Sequence, residues 1–217
     1  MREKEAGSST RPDHRDAISF DPTWGERAKT LFVPIASVRD FWLLYAALWL
    51  GLGVWGWTYV SASVAELGWN SGALSYVNTP FHEFGHILFS PLGEWVESLG
   101  GTLGQLLMPM VAGVALLWQR GDTFGASVCL WWLGQNFIDI APYIADARAG
   151  QLPLLGGNTG KTSPYGFHDW EFILGETGLL AYDGALAALS MNIGRFLMVL
   201  ALVWGAVLLW NAYGKKA

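Results

Sequence analysis

Phe41 to Val60 is a run of twenty residues without a single charge, and it narrows the possible folds of this chain more than any other stretch. As a helix rising 1.5 Å per residue, such a run spans the ~30 Å hydrocarbon layer of a bilayer. Trp42, Trp49, Trp55, Trp57 and Tyr59 cluster toward its ends more than its middle, as interfacial anchors do. Leu99–Trp118 and Phe196–Tyr213 read the same way, and composition agrees with all three. Hydrophobic residues make up 52% of the 217 and charged residues only 14%, with 13 Trp, where soluble domains carry about 25% charged residues. The net charge of −5 is modest and says nothing about nucleic acid, but no basic, aromatic-interleaved patch is present, so no nucleic-acid partner is expected. Cys129 is the only cysteine, which excludes an intrachain disulfide and a cysteine-based zinc site.

A different signal lies between the first two runs. Pro80–Ser90 reads PFHEFGHILFS and contains His82-Glu83-Phe84-Gly85-His86, an H-E-x-x-H pentad. Positions i and i+4 of a helix share one face, so His82 and His86 can hold one metal ion. Glu83 then stands where its carboxylate reaches a water on that metal. Thr79 as cap, Pro80 at the first helical position and Pro91 with Gly93 beyond predict a helix of about eleven residues. At ~16 Å it is too short to cross, so it is expected to enter and return. The plain alternative is a pair of core histidines satisfied by hydrogen bonds.

Thr123–Ala145 completes the expected set of about four transmembrane helices plus one re-entrant helix, an all-α polytopic membrane fold. Gln135, Asn136, Asp139, Tyr143 and Asp146 recur along it at spacings of three and four, hence along one face. Carboxylates at membrane depth are costly and mark functional sites, although a polar seam between helices gives the same pattern. Gln105 lies inside the second run. After a Gly- and Pro-containing loop, Ala147–Phe167, comes His168-Asp169-Trp170 and a helical pattern over Glu171–Leu189.

Residues 1–38 are polar and mixed in charge and are expected to form a disordered tail, with Trp24–Ile35 at the membrane surface and His14 a solvated bystander. Residues 39–217 form the membrane domain. The N-terminus lacks the apolar core and cleavage site of a signal peptide, so the first membrane helix is expected to serve as an uncleaved signal. With four spans, both termini share one side. The N-terminal segment through Arg39, Arg120 and Lys215-Lys216 then place ten of the thirteen Lys and Arg on that side, which should be cytoplasmic. The pentad, Asp146 and His168 all fall at the opposite face. The expected setting is multi-pass, in a bacterial inner membrane.

A catalytic zinc commonly takes three protein ligands and a water. Asp146, at the outer end of its helix, is the first choice beside His82 and His86. His168, Asp139 and Asp169 are the alternatives, as third ligand or in support of the ligands. Asp139 lies about two turns, roughly 10 Å, deeper than Asp146, while the pentad is expected near the start of its helix. Glu94 and Glu97 follow a helix break and have no support. Asp169 alternatively serves as a helix N-cap. Asn136 and Gln105 are candidates for contacting substrate or orienting ligands.

These residues resemble the site-2 protease family of intramembrane zinc metalloproteases. The resemblance rests on the pentad and on a later span with Asn136, Pro142 and Asp146, and covers residues 80–146. It implies that His82, His86 and a distant Asp bind Zn2+ and that Glu83 is the general base. It also implies hydrolysis of peptide bonds in membrane or membrane-associated substrates. Asp146 is followed by Ala147 where the family has Gly, and the charge pattern puts the site outside where the family has it toward the cytoplasm. An inactive relative that binds membrane partners, and a metal-dependent hydrolase of a non-peptide substrate, are the competing readings.

Overall fold

The computed structural model describes residues 29–70, 72–155, 157–162 and 168–214. By its contacts the chain separates into Met1–Leu31 and Phe32–Ala217. Most of the expected tail, including His14 and Trp24, lies outside the described residues. The second unit begins before residue 39. Val38 is fully buried with Phe124, Leu208 and Ala212, and Thr123 donates its hydroxyl to the Val33 carbonyl at 3.0 Å.

The helices are α1 (Ala36–Asp40), α2 (Trp42–Ser61), α3 (Val64–Trp69), α4 (Ala73–Phe89), α5 (Glu94–Arg120), α6 (Thr123–Ala145), α7 (Asp169–Glu176) and α8 (Asp183–Gly214). Among the described residues there is no strand, only an isolated bridge between Pro153 and Thr159. Three helical segments are long and apolar enough to cross a membrane: Trp42–Ser61, Glu94–Arg120 and Leu180–Gly214. Leu43, Leu44, Val54 and Trp57 on α2 face outward and are exposed, as lipid-facing side chains would be.

The all-helical expectation therefore holds, and three of the expected spans meet the criterion. The α6 helix does not, because it carries the polar residues Gln135, Asn136 and Asp139. Those residues are accommodated by packing: α6 runs between α5 and α8, and both Gln135 and Asn136 are fully buried. The α6–α8 crossing is backbone-close. A Cβ on Gly194 would stand 2.4 Å from the Gly134 carbonyl, and one on Gly134 would stand 2.7 Å from the Gly194 carbonyl.

Three boundaries differ from the sequence expectation. The α4 helix begins at Ala73, after Gly72, so Pro80 falls inside it. Thr79 does not cap; its hydroxyl donates to the Ser75 carbonyl one turn back at 2.7 Å, the habit of a mid-helix threonine. At 17 residues, α4 is ~26 Å long. The α5 helix begins at Glu94, with Glu94 and Glu97 in its first turn, where carboxylates complement the helix dipole. The expected helix over 171–189 is two helices. Gly178, at φ 68, turns the chain between α7 and α8, and α8 absorbs the last span in 32 residues.

The packing of α4 on α5 positions the site. Gly85, inside the pentad, lies directly on α5: a Cβ there would sit 2.1 Å from the Gly100 carbonyl. A Cβ on Gly104 would be 2.4 Å from the Phe81 carbonyl. Only hydrogen at these positions allows the backbones so close. That approach brings the two histidines against the first three turns of α5.

Candidate metal centre

His82 and His86 lie on the α4 side that meets α5, with ring centroids 4.8 Å apart. Each ring places Nδ1 against an oxygen. His86 Nδ1 donates to the Glu97 carbonyl at 2.8 Å, and His82 Nδ1 lies 3.3 Å from Gln105 Oε1. Both Nε2 atoms therefore point the same way, and both meet Asp169. Oδ2 of that carboxylate is 3.1 Å from His82 Nε2 and 3.3 Å from His86 Nε2. The three form the one group of metal-ligating side chains among the described residues, with donor atoms all within 4.8 Å.

The local sequence explains how Asp169 arrives. His168 is the N-cap of α7, its Nδ1 accepting the Glu171 N–H at 3.4 Å. Asp169 is thus the first helical residue and is relieved of capping, so its carboxylate is free to face α4. His168 also approaches the Asp146 carbonyl with Nε2 at 3.2 Å. Asp146, the first choice for third ligand, is used elsewhere. Its oxygens accept the Gln151 N–H at 2.9 Å and the Leu152 N–H at 2.8 Å, pinning the loop after α6. Neither Asp146 nor His168 joins the histidine pair.

The remaining candidates divide. Gln105 touches His82 directly, and its amide nitrogen donates to Asp139 Oδ2 at 3.0 Å. Asp139 sits behind His82 with Gln105 between them, accepting also from Asn78 at 2.9 Å and from the Ser75 hydroxyl. Asn136 is turned away: its amide donates to the Trp132 carbonyl of its own helix at 2.9 Å. Glu83 is exposed on α4, and its charge contributes to the raised pKa of His86. Two participants were missed from sequence, Glu97 through its carbonyl and Gly101. The Gly100-Gly101…Gly104 spacing opposite the pentad is the signal that could have suggested a close-packed partner helix.

The donor set fits a zinc ion. Two bonds of about 2.1 Å at a tetrahedral angle put donor atoms about 3.4 Å apart, close to the 3.1 and 3.3 Å between Asp169 and the histidines. Gly101 leaves the necessary room. A Cβ there would stand 2.5 Å from both histidine Nε2 atoms. The Nδ1 contacts supply the outer support that metal-binding histidines characteristically have.

A proton on His86 supplies the positive charge where no ion does. The hydrogen bond that His86 donates to Asp169 raises His86 to about 9, against the opposing effect of burial. Burial alone would push Asp169 up, but the hydrogen bonds and charges of His82 and His86 hold it down at about 2. Two imidazole nitrogens and a carboxylate oxygen facing one another need a positive charge among them. A metal ion is the alternative to the proton.

No family model matches this chain, and no curated protein or solved structure is significantly similar to it.

Proposed function

We propose that the chain is a membrane-embedded zinc metallopeptidase that hydrolyses peptide bonds of membrane or membrane-associated substrates. The single observation that carries this reading is the convergence of His82, His86 and Asp169 beside Glu83. In this reading α6 is the fourth span, shielded by α5 and α8, and α4 enters and returns on one side. The H-E-x-x-H resemblance to the site-2 protease family supports the reaction class.

Zinc, when bound, supplies Lewis acidity that polarises a carbonyl and makes water acidic near neutrality. The residues of the chain do the rest. His82, His86 and Asp169 hold the ion, and the Nδ1 contacts fix the histidine rings. Glu83, next to His82 and open to the outside of α4, accepts the proton of the attacking water and returns it to the leaving amine.

The test is cleavage of a membrane-anchored reporter by purified protein, with zinc content measured alongside. Glu83→Gln keeps size and hydrogen bonding but does not accept the proton. Zinc should remain while turnover falls on the order of 10²–10⁴-fold. Cleavage by Glu83→Gln at the wild-type rate would remove the mechanism.

A further inference from the structure

We infer that Asp139 is a positioning residue for the metal centre: through Gln105 it keeps the His82 proton on Nδ1 and leaves Nε2 free to bind the ion. The inference rests on the metal-centre reading above.

The two histidines are not held alike. His86 donates to a backbone carbonyl, which only accepts. His82 instead faces a glutamine amide, which offers oxygen on one side and N–H on the other. Rotated by half a turn, Gln105 would present N–H to Nδ1. The ring would then carry its proton on Nε2, where it blocks a metal bond. The orientation of this one amide therefore decides whether His82 is a ligand.

Asp139 removes the ambiguity. Its Oδ2 receives the Gln105 amide N–H at 3.0 Å, which leaves Gln105 Oε1 toward His82. The same Oδ2 receives Asn78 Nδ2 at 2.9 Å, and Asn78 is fixed in turn from its other side. Trp132 Nε1, which only donates, reaches Asn78 Oδ1 at 2.9 Å, while Asn78 Nδ2 also meets Gln135 Oε1 at 2.9 Å. The network thus runs from the indole donor at one end, and the Asn78 and Gln105 amides are set by Trp132 and Asp139, groups with no second choice. Asn78 and Gln105 are both buried, so water offers little alternative. Neither Asp139 nor Gln105 needs to touch substrate in this role.

The experiment measures zinc affinity of the detergent-purified full chain by competition with a chromophoric chelator. Asp139→Leu removes the acceptor, and Gln105→Met removes the group that faces His82. Each should weaken zinc binding on the order of 10–100-fold, the usual loss when a metal-ligand histidine loses its partner. Asp139→Asn can keep an oxygen toward Gln105 and turn its amide to the Ser75 hydroxyl, so it should bind close to wild type. A second readout separates positioning from general support. With isotope-labelled histidine, zinc-loaded wild type and Asp139→Asn should show an exchange-protected Nδ1–H for His82, which Gln105→Met should lose. If Asp139→Leu does not fold, Gln105→Met carries the test. Wild-type zinc affinity in Gln105→Met with the Nδ1–H signal intact overturns the inference. A wild-type chain that takes up no zinc overturns the metal-centre reading beneath it.

Discussion

Nε2 of His82 lies 3.1 Å from Oδ2 of Asp169, a residue 87 positions further along the chain. That contact ties the pentad helix α4 to the short helix α7. It identifies Asp169, rather than Asp146, as the carboxylate that completes the histidine pair, and separate substitutions should show the difference. Asp169→Ala should abolish stoichiometric zinc binding, as should His82→Ala. Asp146→Ala should keep zinc but leave the Gln151 and Leu152 N–H groups without acceptors, at a stability cost of about 1–3 kcal/mol. Metal analysis with thermal melting of the three variants decides it. Loss of zinc in Asp146→Ala with retention in Asp169→Ala would reverse the assignment.

Gly101 should be intolerant of a single methyl group. Its Cβ would lie 2.5 Å from both histidine Nε2 atoms, so the imidazoles must swing away. Gly101→Ala should fold yet lose zinc and cleavage together. Gly51 and Gly53 have nothing within 4 Å of an added Cβ, and alanine there should leave both properties unchanged. Zinc content of the three variants is the measurement.

Zinc uptake should depend on pH through His86. Its imidazole is held at about 9 without metal, so at pH 7 it carries a proton that the ion must displace. Binding should release about one proton at pH 7, and apparent affinity should rise about tenfold per pH unit up to about 9. The stability of the metal-free protein should move the opposite way. Below 6.5, its ordinary value, His86 is charged in both folded and unfolded chains, and the pair with Asp169 contributes in full. That contribution is lost as pH rises through about 9. Calorimetric titrations in buffers of different ionisation enthalpy, with melting curves of the metal-free form, would read both trends. An affinity independent of pH between 7 and 9 would exclude the ion pair.

The loop after α6 should lie on the face opposite the termini. Ten of the thirteen Lys and Arg fall on the terminal side of a four-span arrangement. With Cys129 replaced, a cysteine introduced at Asn158 should label from outside intact cells. Labelling only after the cytoplasmic side is opened would mean that α6 does not cross or that α4 does.

Much of this protein was legible in its sequence because the signals were local. Charge-free runs mark helices that suit lipid, and the i, i+4 spacing of His82 and His86 places both on one face whatever surrounds them. The Gln135 and Asp139 part of the polar face of α6 was legible too, as was the candidacy of Gln105 and Asp169, whereas Asn136 turns to its own helix and Asp146 to the following loop. Which carboxylate meets the histidines was not. Asp146 and Asp169 are the same residue type, each near a helix end, and sequence spacing does not say which one is consumed by backbone N–H groups. That depended on His168 taking the cap and on α7 lying against α5. The length of α4 was hidden for a related reason. Thr79-Pro80 reads as a helix start, but a threonine bonded back to Ser75 and a proline tolerated in mid-helix are outcomes of the tertiary packing. The close contact of Gly85, Gly100 and Gly101 is likewise a relation between two helices, and a periodicity within one helix does not contain it.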